Sequence, residues 1–366
     1  MQIDKRKIPG SVMLFSVVCF IQASSLLTAF LAGVTFQDSW FAILIGTIAG
    51  LPMIWIYNML ISRFPGKNLL EILSEVFGKV LGKIFGVMYI WFFLTLTSLN
   101  TIDMGNFVKL TIMEETPRLI LMVLCIVVGA WAIRYGIGVV SRYSFLFSMI
   151  SFIILVIGIF LVWNQMDFKN FLPMFTLPVK EYIQGTNIIL TIPFGELVVF
   201  LMIIPNVNIP PQKISKMFFI GYLLGGIHIL VVMARDIAVL GNTIAMFSLP
   251  SLVTLRLVHL GEALSRMEIL FAVVLIMLMF FKITFLYYVT VITIAQFFNL
   301  KEYKPLILSI GALILSYGLT LYVSPVKHTL SGQEITPIFW ILFEFLLPLV
   351  TLVTAAIRKR PKTGKV

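Results

Sequence analysis

The chain has 366 residues, 60% of them hydrophobic and 12% charged, and a mean hydropathy of +1.05. No soluble domain of this length hides that much apolar surface, so lipid is the solvent for most of it. The formal charge of +11 suggests a nucleic-acid partner until it is mapped: the basic residues sit at the ends of apolar runs, as in proteins that cross the membrane many times.

A spanning helix needs about 20 predominantly apolar residues. Ten such runs are predicted in chain order, at 9–31, 39–61, 84–111, 118–134, 139–163, 182–205, 218–240, 268–297, 305–323 and 335–357. The opening MQIDKRKIPG is not read as a cleavable signal, because no A-x-A-like site follows and the apolar run continues as the first span. That span is interrupted by Gln22-Ala23-Ser24-Ser25. Those side chains can bond back to helix carbonyls and leave the helix intact, or the backbone can open there. The second span leads into an amphipathic stretch, with Leu69, Ile72, Leu73, Val76, Phe77 and Val80 on one face and Glu71, Glu75 and Lys79 opposite. The sixth span is broken by Pro193-Phe194-Gly195-Glu196. After the seventh comes a second amphipathic stretch, with Leu249, Leu252, Val253, Leu257 and Leu260 on one face and Ser248 and Pro250 suited to its first turn. Cys19 and Cys125 fall inside spans and read as small buried hydrophobes, with no disulfide or metal spacing.

Of the 27 Lys and Arg residues, 18 fall in one set of loops and tails and eight in the other, with Lys282 inside a span. That bias places both termini in the cytoplasm. The two amphipathic stretches then lie on opposite membrane faces at matching places in the two halves. Together with the paired breaks, this predicts one all-α polytopic domain over 1–366: ten transmembrane helices as a five-plus-five inverted repeat, about 9–163 and about 182–357, with helices 1 and 6 discontinuous.

No GxSxG, Walker loop, HExxH or CxxC is present, so neither an enzyme nor a cofactor or metal site is expected. Charges inside spans are expensive and mark function. Glu196 can cap free N–H groups of the second half-helix or receive a ligand ammonium group. Lys282 can pair with Glu196 or Glu344, or stand where other carriers bind a cation. His228 reads as a helix-packing residue, His259 and His328 as solvated loop residues, and Asp103 as reaching the outer mouth.

Several motifs in order carry a resemblance: Arg63-Phe-Pro-Gly-Lys67 with the amphipathic helix and Gly78-Lys-Val-Leu-Gly-Lys83, Glu115-Thr-Pro117, Gly136-Ile-Gly-Val-Val-Ser-Arg142, Asn170-Phe-Leu-Pro173, the Pro193–Glu196 break, and Phe298-Asn-Leu-Lys-Glu-Tyr-Lys-Pro305. The ordered set, covering nearly the whole chain, resembles the B-subunit family of spore germinant receptors. These look like amino acid–polyamine–organocation transporters. The resemblance implies a LeuT-type fold, an inner spore membrane location, A and lipoprotein C subunits as partners, and sensing of a small nutrient germinant. Opened half-helix ends offer N–H groups to a carboxylate and C=O groups to an ammonium. The ligand is therefore expected between the breaks, against Gln22, Ala23, Ser24, Ser25, Pro193, Phe194, Gly195 and Thr284, with Glu196 and Lys282 setting its charge. A secondary transporter for an amino acid or amine needs the same cavity. A ligand-free scaffold does not explain why two spans give up backbone hydrogen bonds.

Overall fold

A computed structural model describes residues 8–257, 267–322 and 324–361. Among them, seven helices are long and apolar enough to cross a membrane, or eight if one bent pair counts as a span. The expected ten is not reached by this measure, for two physical reasons. Residues 10–63 form a nearly continuous helical run of 54 residues, although Phe36, at φ 47°, divides its first pass from its second. Arg118–Arg134 has only 17 residues, about 25 Å at 1.5 Å per residue, a little short of the hydrocarbon thickness.

The bundle forms around the two interrupted spans. Gly10–Ala23 packs between Pro211–Leu240, Ile137–Val162 and Met267–Phe297. The residue before its first turn is held across the bundle: Ile8 N donates to Asn206 O at 2.7 Å, and Ile8 O accepts from Asn208 N at 3.0 Å. This backbone bridge joins the start of the first span to the end of the sixth.

The first surface helix is as the sequence indicates at its start. Asn68 and Glu71 form a reciprocal capping box, and Leu69, Leu70, Ile72, Leu73 and Val76 are buried. Gly78 then takes φ 84°, a left-handed conformation that a side chain disfavours, and turns the chain into the third span. Val80, expected on the buried face, follows that turn and is 74% exposed. The second surface helix is shorter, Pro250–Arg256, and has no Ser248 cap. It buries Leu252 and Leu255, while Leu257 is exposed; His259 and Leu260 lie outside the described residues. Arg235 is not a loop charge. It lies buried within Pro211–Leu240 and binds Asp236 at 2.7 Å, whose other oxygen accepts from Ser251 of the short helix.

The stretch before the tenth span, which holds His328, is a helix rather than a loop: Pro325–Glu334, capped by Ser324 and bent 89° from Leu306–Leu321. The tenth span is itself irregular. Thr336–Ile341 passes through a π-turn at Leu342–Leu346 into Leu347–Ile357.

Candidate functional site

The two expected breaks differ in kind, and the first is milder and begins two residues later than expected. In the first span, Gln22 and Ala23 stay α-helical, and the chain tightens into a 3-10 turn at Ser24–Leu27. In the sixth, the α-helix ends at Ile189. A wide turn follows at Leu190–Phe194 with Ile192 extended at φ −116°, ψ 105°, and then a 3-10 helix at Gly195–Met202. Pro193 lacks the N–H that an α-helix needs there. At the break, Gly195 O accepts from the Tyr57 hydroxyl at 3.1 Å, and Asn187 O from the Thr191 hydroxyl at 2.8 Å.

Lys282 brings the breaks together. It lies at the middle of Met267–Phe297, and its ammonium sits 2.5 Å from Glu196 Oε2 and 2.7 Å from Ser24 Oγ. It also lies 4.8 Å from the centre of the Phe20 ring, within cation–π range. Lys282 and Glu196 are each 1% exposed. Of the two partners the sequence left open for Lys282, the structure selects Glu196. Beneath the pair, Phe20, Phe200 and Phe285 pack with ring centres 4.6–5.9 Å apart.

In the same stretch of the first span, Gln22 is fully buried with no hydrogen-bond partner for either side-chain polar atom among the described residues, and Ser25 Oγ likewise has none. Such groups in a dry interior cost free energy. Ser25 borders a cavity of about 20 Å³ with Ser151, His228 and Arg235. His228 packs on Phe152, and its Nε2 lies 3.4 Å from Ser151 Oγ.

Two expected lining residues point elsewhere. Thr284 stands two positions from Lys282, about 200° around the helix. It faces Gly129 of Arg118–Arg134 rather than the breaks: a Cβ on that glycine would lie 3.4 Å from Thr284 Oγ1. Phe194 is buried against Tyr222 at 4.8 Å, so it braces the break against the seventh span. Pro193 is also buried.

Three contacts were not expected from the sequence. Glu344, from the π-turn of the tenth span, lies against Gly195 so closely that any Cβ there would overlap its Oε2. Tyr57 donates to both sides of that contact, to Gly195 O and, at 2.5 Å, to Glu344 O. Asp103 and His328, expected to be solvated, are 8% and 7% exposed and pair at 3.2 Å. They line a cavity of about 220 Å³ with Leu26, Leu27 and Phe30 of the second half of the first span. Glu344 had a signal, a charge within an apolar run. Tyr57 and His328 had none, because their partners lie 287 and 225 residues away in sequence.

A family model described as spore germination protein matches residues 7–322. Spore germination protein KB of Bacillus subtilis (strain 168) is 27% identical over 364 residues, covering 98% of this chain and 96% of that protein. Two solved structures share the fold at low identity. One is Mhp1, a nucleobase-cation-symport-1 family transporter in a closed conformation with bromovinylhydantoin bound: TM-score 0.69, 13% identity, 98% of this chain and 80% of that one. The other is MhsT in complex with L-phenylalanine: TM-score 0.62, 11% identity, 94% and 97%. The fold is therefore the LeuT type, with its discontinuous first and sixth helices.

Proposed function

The chain belongs to the spore germination protein family, and we propose that it is the membrane subunit of a nutrient germinant receptor, binding a small amino-acid-like germinant between its two broken spans. One observation carries this reading: Lys282 reaches Ser24 at the first break and Glu196 at the second with a single ammonium group. A zwitterion carries the same two charges as that pair. Its carboxylate can take Lys282, its ammonium Glu196, and its remaining polar atoms Gln22 and Ser25. Binding then exchanges internal contacts for ligand contacts, and the two broken spans are no longer tied through one side chain. A differential interaction of this kind is what a ligand needs to shift a conformational equilibrium.

The remaining elements of the reading rest on the family and on charge. The A subunit and lipoprotein C subunit are the expected partners, and the inner spore membrane the expected location. With Arg235 inside a span rather than in a loop, the basic bias becomes 18 to 7, and it supports ten spans in two inverted repeats with both termini cytoplasmic. On that topology the Ile8–Asn206 bridge closes the cytoplasmic end, and the Asp103–His328 cavity faces outward. No reaction of its own is assigned to the chain.

A second reading is favoured by the fold shared with Mhp1 and MhsT: a secondary active carrier for an amino acid or amine. Uptake of radiolabelled amino acids into proteoliposomes, set beside germination of spores lacking this chain, separates the two. Loss of one nutrient response without uptake supports the receptor. Uptake with germination intact supports the carrier.

A further inference from the structure

Glu344 is fully buried, and neither of its carboxyl oxygens has a hydrogen-bond partner among the described residues. The donors nearest it are committed elsewhere. Tyr57, from Leu51–Arg63, gives its hydroxyl proton to the backbone oxygens of Glu344 and Gly195. Tyr89, from Leu69–Thr111, gives its own to Phe343 O at 2.8 Å. Lys282 is held by Glu196 and Ser24. The charged groups facing this region are therefore two carboxylates and one ammonium, and the ammonium is already paired. A carboxylate left without donor or counter-charge in a dry bundle is strongly disfavoured, so the missing positive charge must come from solution. The deficit is one positive charge, which a proton or a monovalent cation supplies.

We propose that Glu344 is a binding site for a single positive charge, a proton or a sodium ion, beside the Gly195 break. The geometry gives the site a consequence. Glu344 lies in the π-turn Leu342–Leu346, its carboxyl group presses on the Gly195 backbone, and Tyr57 bridges the two chains. With the charge bound, the tenth span rests against the sixth-span break. With the charge gone, the bare carboxylate faces Glu196 and is driven off Gly195. The inference stands on the surroundings of Glu344 and goes beyond the germinant site; it holds or fails whatever ligand binds at Lys282.

The test uses the full chain in lipid nanodiscs with isotope-labelled glutamate carboxyls. Infrared spectra detect a protonated glutamate, and thermal unfolding is followed while sodium replaces N-methylglucamine at constant ionic strength. A proton at Glu344 gives a protonated-glutamate band that remains in Glu196→Gln, is lost in Glu344→Gln, and does not depend on sodium. A sodium ion gives no such band but a saturable rise in Tm with sodium that Glu344→Gln abolishes. A wild-type chain showing neither the band nor the sodium response overturns the proposal, and this outcome needs no variant to fold. So does a band or sodium response that survives in Glu344→Gln. Should Glu344→Gln not accumulate, Gly195→Ala takes its place. Its methyl group displaces the carboxyl and must shift the band or weaken the sodium response, and an unchanged signal overturns the proposal.

Discussion

Lys282 and Glu196 form a 2.5 Å ion pair with 1% exposure at either end, and through Ser24 that pair joins the two broken spans. Removing one partner of a buried pair leaves an uncompensated charge and costs about 3–5 kcal/mol, whereas removing both costs far less. Lys282→Met alone should lower the thermal stability of the purified protein markedly, and Lys282→Met with Glu196→Gln should recover most of the loss. Additive losses in a double-mutant cycle would mean that the two residues do not act as a pair.

Gly195 and Glu344 share a space that admits no side chain at residue 195. Gly195→Ala should destabilise by about 1–3 kcal/mol, the usual cost of overpacking, and Glu344→Ala should relieve that cost when combined with it. Unfolding of the single and double variants in detergent checks the pair. Equal loss with and without Glu344 would place the strain elsewhere.

The sequence told most where physics is local. Proline, glycine and a charge within four residues of an apolar run mark a break, and Pro193–Glu196 is one. A lysine at the centre of a 31-residue apolar helix needs a buried partner, and Lys282 has one. What stayed hidden depends on which way a residue faces. These helices are apolar nearly all round, so periodicity does not say that Thr284 turns to the fourth span while Lys282 turns to the breaks. Val80 departs from the expected face because the left-handed Gly78 ends one helix face and starts another inside an unbroken pattern. His328 sits in a polar stretch that reads as solvent-exposed until Asp103, 225 residues earlier, is seen beside it.

Asp103 and His328 link the third span to Pro325–Glu334 across the 220 Å³ cavity. Replacing both by cysteine and oxidising should hold these elements together and block the nutrient response of spores, and a reductant should restore it. A response unaffected by a disulfide confirmed by mass spectrometry would show that this cavity does not open for the nutrient.

The Ile8 bridge to Asn206 and Asn208 ties the ends of both broken spans. Ile8→Pro removes the donor to Asn206 and should cost about 0.5–1.5 kcal/mol, with faster amide hydrogen exchange near residue 208. Unchanged exchange there would show that the bridge does not restrain this end.

Val80 and Met246 are 74% and 80% exposed, and both native cysteines are buried. Single cysteines at these two positions should react with impermeant thiol reagents from opposite sides of the membrane. Labelling from one side only would overturn both the topology and the inverted repeat.

The most direct measurement of the proposed site is the affinity of the purified chain, in nanodiscs, for the amino acid that triggers germination through it, compared between wild type and Glu196→Gln by calorimetry. A hydrogen bond to a charged group contributes about 1.5–3 kcal/mol, or roughly 10- to 100-fold in Kd. If the ligand ammonium binds Glu196, Glu196→Gln should weaken binding by that factor while the protein stays folded and reaches the membrane at normal levels. Equal affinity in both proteins would contradict a ligand site between the two broken spans.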